Sequence, residues 1–156
     1  MNKYSAVIRK YADFRGRASR SEYWMWILMN LIIISSLSVI DIFLLNIGMY
    51  GLSFVYFLVI ALPTLAVLVR RLHDTGHSSW WGLPFCYAWI YRVVPHSVLV
   101  RVLPPSSWVN VLLSLAYIPA FILLIIFLIR DSEPDPNEYG PNPKELITLA
   151  SPGHVA

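Results

Sequence analysis

The segment RRLHDTGHSSWW, residues 70 to 81, gathers two arginines, two histidines, an aspartate and paired tryptophans between two strongly apolar runs. Arg70 and Arg71 offer planar guanidinium forks that match a phosphate or a carboxylate. His73 beside Asp74 supplies the imidazole and carboxylate that proton transfer uses. A structural reading competes with both: the arginines stop a helix at a membrane interface, Asp74 neutralises one of them, and the tryptophans anchor the next helix. His73 and His77 stand four apart, the spacing that puts two imidazoles on one face of a continuous helix. Gly76 and the serines after it argue that the helix has already ended, and His96 and His154 are distant in sequence. No metal site is therefore read. The chain also lacks GxSxG, a P-loop, HExxH and a dinucleotide fingerprint, so no catalytic residue and no cofactor is assigned.

The elements that must position these groups are apolar. The 156 residues are 57% hydrophobic and 13% charged, with a mean hydropathy of +0.60, far too apolar for a soluble domain of this size. A bilayer crossing needs roughly 20 apolar residues. Trp108 to Ile129 is uncharged, Tyr23 to Asn46 carries only Asp41, and Leu52 to Val69 ends abruptly at Arg70. A fourth run, WWGLPFCYAWIYRVV from Trp80, is short for a crossing unless Arg92 snorkels to an interface while the tryptophans anchor the other end. The expected fold is an all-α, polytopic transmembrane bundle of four spans, at about 23–46, 52–69, 80–94 and 108–129. Three spans are the alternative, with residues 80–103 forming a re-entrant or interfacial helix. The chain then divides into a basic amphipathic segment at 1–22, a membrane domain at 23–129 and a proline-rich polar tail at 130–156. The first apolar run is longer than a signal core of about 7 to 15 residues and lacks a small-residue cleavage pattern. A retained helix is expected.

Lys3, Arg9, Lys10, Arg15, Arg17 and Arg20 precede the first span, against Asp13 and Glu22, while residues 46–51 carry no charge. The positive-inside rule puts the N-terminus in the cytoplasm, and two crossings return Arg70 and Arg71 to that side. The basic balance, net charge +3, is thus a cytoplasmic face toward anionic lipid, and no soluble basic module for nucleic acid is present. Ser19 and Glu22 have capping-box spacing. Tyr23, Trp24, Trp26, Trp80, Trp81 and Trp108 read as interfacial anchors, and Gly76 as a left-handed helix C-cap. Cys86 is the only cysteine and reads as a small buried hydrophobe.

Asp41 is the one acid inside a predicted span, and such a group asks for a partner. At about 1.5 Å per residue it lies some 27 Å past Tyr23, and Arg92 reaches a comparable depth if the third span crosses. An ion pair between Asp41 and Arg92 is the leading expectation. The tail from Asp131 is acidic and rich in turn residues, and four crossings would bring Asp131, Glu133, Asp135 and Glu138 toward the arginines.

Three blocks, FRGRASRSEYW (residues 14–24), RRLHDTGHSSWW and NEYGPNP (residues 137–143), occur in the order seen in the bacterial family catalogued as domain of unknown function 805. The resemblance covers about residues 10 to 144. It implies a small bacterial inner-membrane protein and no reaction; the cytoplasmic placing of both termini follows from the charge asymmetry and four crossings. The chain departs from the pattern at His77, where a basic residue is expected, and in a longer apolar stretch after the paired tryptophans. From the residues, the favoured function is non-enzymatic: Arg15, Arg17, Arg20, Arg70, Arg71, His73 and Asp74 form a cytoplasmic face for anionic lipid or an acidic protein partner. A small transporter or its accessory subunit, and a lipid-modifying enzyme built around His73 and Asp74, are the alternatives. Membrane lipids are the expected partners, with a membrane-protein partner or a second copy left open.

Overall fold

The computed structural model describes residues 3–46, 51–94, 98, 101–102 and 108–143, and every long element among them is a helix. These are α1 (Lys3–Arg9), α2 (Arg20–Phe43), α3 (Leu52–Asp74), α4 (Leu83–Val93) and α5 (Trp108–Ile129), with a 3-10 turn at Ser79–Gly82 before α4. Among the described residues, three helices are long and apolar enough to cross a membrane: Arg20–Phe43, Leu52–Asp74 and Val111–Ile129. The 11 residues of α4 rise only about 16 Å, against a hydrocarbon core of about 30 Å. α4 nevertheless runs antiparallel to α3. Gly82 at its start lies against Leu68 and Leu72, and Trp89 meets Phe57 with ring centroids 4.4 Å apart. Most of the stretch between Pro95 and Pro105 lies outside the described residues.

Ser19 caps α2, its Oγ accepting the Glu22 N–H at 3.3 Å. The expected capping box is only half made, because the Glu22 carboxylate turns away to Arg70. α3 continues past Val69 to Asp74, so Arg70 and Arg71 do not end it as the structural reading expected. Each is paired with a carboxylate inside the protein, Arg70 with Glu22 and Arg71 with Asp74, and the stop comes later. At Gly76, with φ +70°, the Gly76 N–H donates to the His73 carbonyl at 3.2 Å and the His77 N–H to that of Leu72 at 2.9 Å. This Schellman arrangement satisfies carbonyls that the last turn leaves unpaired.

The α2–α3 contact holds the core and is laced with polar rungs. Trp26 Nε1 donates to Thr64 Oγ1 at 3.0 Å, and Tyr56 OH donates to Asn30 Oδ1 at 2.6 Å. Two of the expected interfacial anchors belong to this contact. Tyr23 and Trp26 are buried, because positions 23, 26 and 30 share the helix face turned to α3, and Trp26 also stacks on Tyr4 of α1 at 4.8 Å. Trp24, Trp80, Trp81 and Trp108 face outward. Since lipid tails are as apolar as leucine, interhelical hydrogen bonds and close packing must select this pairing.

Candidate functional site

Asp74, fully buried at the end of α3, is the acceptor around which one end of the bundle assembles. Arg17 Nε donates to its Oδ1 at 3.0 Å. Its Oδ2 accepts from Arg71 Nη1, one turn earlier on the same helix, and from Ser132 Oγ at 2.6 Å. Arg71 is itself completely buried. Its Nε donates to the Leu128 carbonyl at 3.2 Å and its Nη2 to that of Arg130. Arg20 adds a bond to the Ile129 carbonyl at 3.3 Å and pairs with Asp131 at 2.7 Å. Guanidinium groups from α3 and α2 therefore close the C-terminus of α5, where unpaired carbonyls and the helix dipole favour positive charge.

The segment after α5 folds back as a strap across this end, and Arg17 is the residue that clamps it. Its Nη1 reaches the carbonyls of Asp135 at 2.9 Å and Gly140 at 3.3 Å, while Nη2 reaches those of Glu133 at 2.6 Å and Asp74 at 3.3 Å. The Glu133 N–H returns a bond to the Asp74 carbonyl at 3.0 Å. Asn137 Nδ2 holds the His73 carbonyl at 3.0 Å and Glu133 Oε2 at 2.7 Å. Residues 137 to 140 make a tight turn with reciprocal backbone bonds, which lays Tyr139 flat on His73 at 3.9 Å between ring centroids. His73 Nε2 meets Ser79 Oγ at 3.0 Å, while His77 stacks on Phe127 at 3.8 Å. The two histidines thus serve different packing contacts. Of the four tail acids, Asp131 uses its carboxylate on an arginine, whereas Glu133 and Asp135 hold Arg17 through backbone carbonyls.

Arg70 points elsewhere. It is 1% exposed, its Nε bonds the Ala66 carbonyl of its own helix at 3.3 Å, and Nη1 reaches Glu22 Oε1 at a long 3.4 Å. Its Nη2 is buried with no acceptor among the described residues. Arg15 is exposed. At the other end of the bundle, Asp41 is fully buried and its two oxygens accept the backbone N–H groups of Leu52 and Ser53, each at 2.8 Å. Its observed partner is the N-terminus of α3, which carries the positive end of the helix dipole. Arg92 stands in the last turn of α4, and its side chain lies outside the described residues.

Of the sequence-level set Arg15, Arg17, Arg20, Arg70, Arg71, His73 and Asp74, the structure joins Arg17 and Arg71 on Asp74, while Arg20 pairs with Asp131, Arg70 with Glu22 and His73 with Ser79, and Arg15 is exposed. Asp74 spends both oxygens on Arg17, Arg71 and Ser132, and His73 presents Nε2 to Ser79, so the pair does not offer a joint acid and base to a shared space. Sequence reasoning missed Ser132, Asn137, Tyr139 and Asn142, whose Nδ2 donates to the carbonyls of Glu133 and Pro134 at 3.1 Å each. The signal for three of them was present: the Asn-x-Tyr-Gly-Pro-Asn block is polar and turn-rich, yet too specific for a mere linker. Among the described residues, the cavity between the Ser79–Gly82 turn, α4 and α5 is about 460 Å³ and almost wholly apolar, lined by Trp80, Trp81, Tyr87 and Tyr117 among others.

Comparison with known proteins returns a family described as "Protein of unknown function (DUF805)", which matches residues 11–141. The chain is 34% identical over 147 residues to inner membrane protein YhaH of Escherichia coli (strain K12), covering 92% of this chain and 98% of that one. It is 32% identical over 144 residues to inner membrane protein YhaI of the same strain, covering 92% and 97%. No solved structure matches.

Proposed function

Because this chain belongs to the DUF805 family of proteins of unknown function, we propose that it is a non-enzymatic, multi-pass inner-membrane protein whose basic cytoplasmic end gathers anionic phospholipid. The observation that carries this reading is the division of labour among its cations. Arg17 and Arg71 are consumed internally and hold the end together. The N-terminal arm above them exposes Ile8, Tyr11 and Phe14, at 50%, 58% and 38%, interleaved with exposed Arg9, Lys10 and Arg15. Apolar side chains among basic ones are what an in-plane interfacial segment needs: the former enter the acyl boundary and the latter meet anionic headgroups. An acidic protein would use the cations but would leave the three apolar side chains unexplained. Each basic residue near an anionic surface contributes about 1 kcal/mol. The full-length protein in nanodiscs of mixed phosphatidylglycerol and phosphatidylcholine should be extracted with phosphatidylglycerol enriched, as read by mass spectrometry of retained lipid. R9Q/R15Q should reduce that enrichment by roughly tenfold or more, the effect of two such contacts. A wild-type protein without enrichment, or a variant that keeps it, overturns the proposal.

A further inference from the structure

Helix α4 turns one face to α3 and leaves another open toward α5. Phe85 and Trp89, four positions apart and so on one helix face, belong to the α3 side: Phe85 packs against the buried core, and Trp89 meets Phe57. Tyr87 instead meets Tyr117 of α5, with ring centroids 5.2 Å apart. Around that contact α5 presents Ala116 and Ala120, whose methyl groups are too short to close the gap. Nearer the clasp, Trp81 stands edge-on to Phe127 at 5.0 Å, and Trp80 and Trp81 form the upper wall. The result is an open groove of about 460 Å³, within the range of about 300–1,000 Å³ that small-molecule sites occupy.

The α5 wall of the groove runs from Leu113 to Ala120, a rise of about 10 Å, inside the span Val111–Ile129. Whatever fills it must therefore be dissolved in hydrocarbon. A helix from a second copy, about 10 Å across, would need about 800 Å³ over that length, well beyond what the groove holds. A single hydrocarbon chain is far narrower and lies along the same axis. The almost wholly apolar lining has no place for a headgroup, so the polar end of the occupant must stay outside. Arg130 stands at that level. It lies one turn past Phe127, on the same side of the helix and about 4.5 Å nearer the clasp. Its N–H still bonds the Ile126 carbonyl at 2.9 Å, and its own carbonyl is held by Arg71. Its side chain is exposed and makes no ion pair among the described residues.

We infer that this groove is a binding site for one acyl chain of an anionic phospholipid, with the lipid phosphate outside it at the level of Arg130. The chain gains little by leaving its neighbours, because lipid tails are as apolar as the groove. What retains it is contact with fixed walls: tyrosine and tryptophan rings are large and rigid, and many weak dispersion contacts add up along a chain. The inference rests on the proposed placing of the clasp end among anionic headgroups, but it names a different part of the molecule, and Arg9 and Arg15 take no part in it.

The test uses the full-length protein in nanodiscs of phosphatidylglycerol and phosphatidylcholine, with a trace of phosphatidylglycerol that carries a diazirine midway along one chain. After irradiation, peptide mapping by mass spectrometry locates the label. In wild type, residues 80–87 and 113–120 should take about tenfold more label per residue than the outward-facing Leu28, Leu31 and Ile32 of α2. Ala116→Phe with Ala120→Phe fills the groove and should bring that ratio down to one of equal labelling, while labelling of α2 stays unchanged as a check that the protein is folded and inserted. Ala120→Leu, a milder filling, should lower the ratio part of the way. Arg130→Gln should lower groove labelling by about fivefold, the effect of one basic contact with an anionic headgroup. Even labelling of all lipid-facing surfaces in wild type, or a ratio that neither filling variant changes, overturns the chain site. Unchanged labelling in Arg130→Gln overturns the placing of the phosphate. R9Q/R15Q should leave the ratio of groove to α2 labelling intact, so failure of the general anionic reading is distinguishable from failure of this one.

Discussion

Asp74 holds a concentration of charge that the fold must keep fully paired. Its carboxylate and Arg71 are completely buried, and Arg17 is 7% exposed, so each group has lost most of its hydration. Replacing such a network by apolar residues need not cost stability, but removing one member leaves a buried charge uncompensated, at about 3–5 kcal/mol. Asp74→Ala is therefore expected to lower the unfolding free energy in detergent by about that amount. Arg17→Lys should also fail, because a single ammonium cannot reach the carboxylate and four carbonyls that the guanidinium spans. Arg20→Gln is the contrasting case. Its partner Asp131 is 63% exposed and Arg20 itself 43%, and pairs of that kind contribute about 0–1 kcal/mol. Denaturant titration of the three variants checks the order; an Asp74→Ala protein as stable as Arg20→Gln would show that the buried network carries no stability.

Helices α2 and α3 are matched by rungs placed along their length. Glu22 with Arg70, Trp26 with Thr64, Asn30 with Tyr56, and Asp41 with the start of α3 lie in antiparallel order. In hydrocarbon a polar group cannot fall back on water, although measured interhelical bonds still average only about 0.6 kcal/mol. The Asp41 rung differs, because it caps two backbone amides and faces a helix dipole; losing a cap costs about 0.5–2 kcal/mol. Gly51 makes that cap possible: a Cβ at Gly51 would overlap the Asp41 carboxylate. Gly51→Ala and Asp41→Leu should each destabilise by about 1–2 kcal/mol, and the double variant should be no worse than the poorer single one, since both break the same contact. Additive losses in a thermal-unfolding cycle would refute a shared cap. Gly76 is constrained similarly at the other end of α3, by its left-handed backbone and by Glu133 lying where a Cβ would go.

At the scale of the molecule, the clasp fixes which ends of which helices meet. The start of α2, the end of α3 and the end of α5 converge through Arg20, Arg71 and Arg17. Residues 17 and 140 therefore belong to the same end of the bundle. On the proposal, drawn from charge asymmetry, that the arginine-rich end is cytoplasmic, reporters fused to the N-terminus and to the C-terminus should both read as cytoplasmic. A C-terminal reporter that reads as periplasmic would be incompatible with the Arg17 clamp and would restore a three-crossing chain. α4 has a particular place in this geometry: too short to span by itself, it travels along α3 and begins the return that lets α5 come back to the clasp. Among the described residues of α5, Leu124 and Leu128 are the fully buried side chains, so most of its described apolar surface is left to face lipid tails. The guanidinium bonds at its C-terminus hold that end where side-chain packing is sparse.

The amino-acid sequence determined those features that depend on neighbours along the chain. Long apolar runs require helices in a bilayer because every backbone polar group must be satisfied within the segment. Gly76 marks the end of α3 because few other residues accept its backbone angles, and the basic residues before α2 and at the end of α3 can be placed on one side by charge alone. Only the tertiary structure decided partnership and facing. Arg17 meets Asp74 across 57 positions and Gly140 across 123. Asp41 chooses backbone amides, a partner with no side-chain signature in sequence. Glu22 leaves its capping box for Arg70, and Tyr23 and Trp26 face the core instead of the headgroups. Each outcome depends on the rotational phase of one helix against another, and an apolar run in lipid is too uniform to reveal which of its faces will find a protein neighbour.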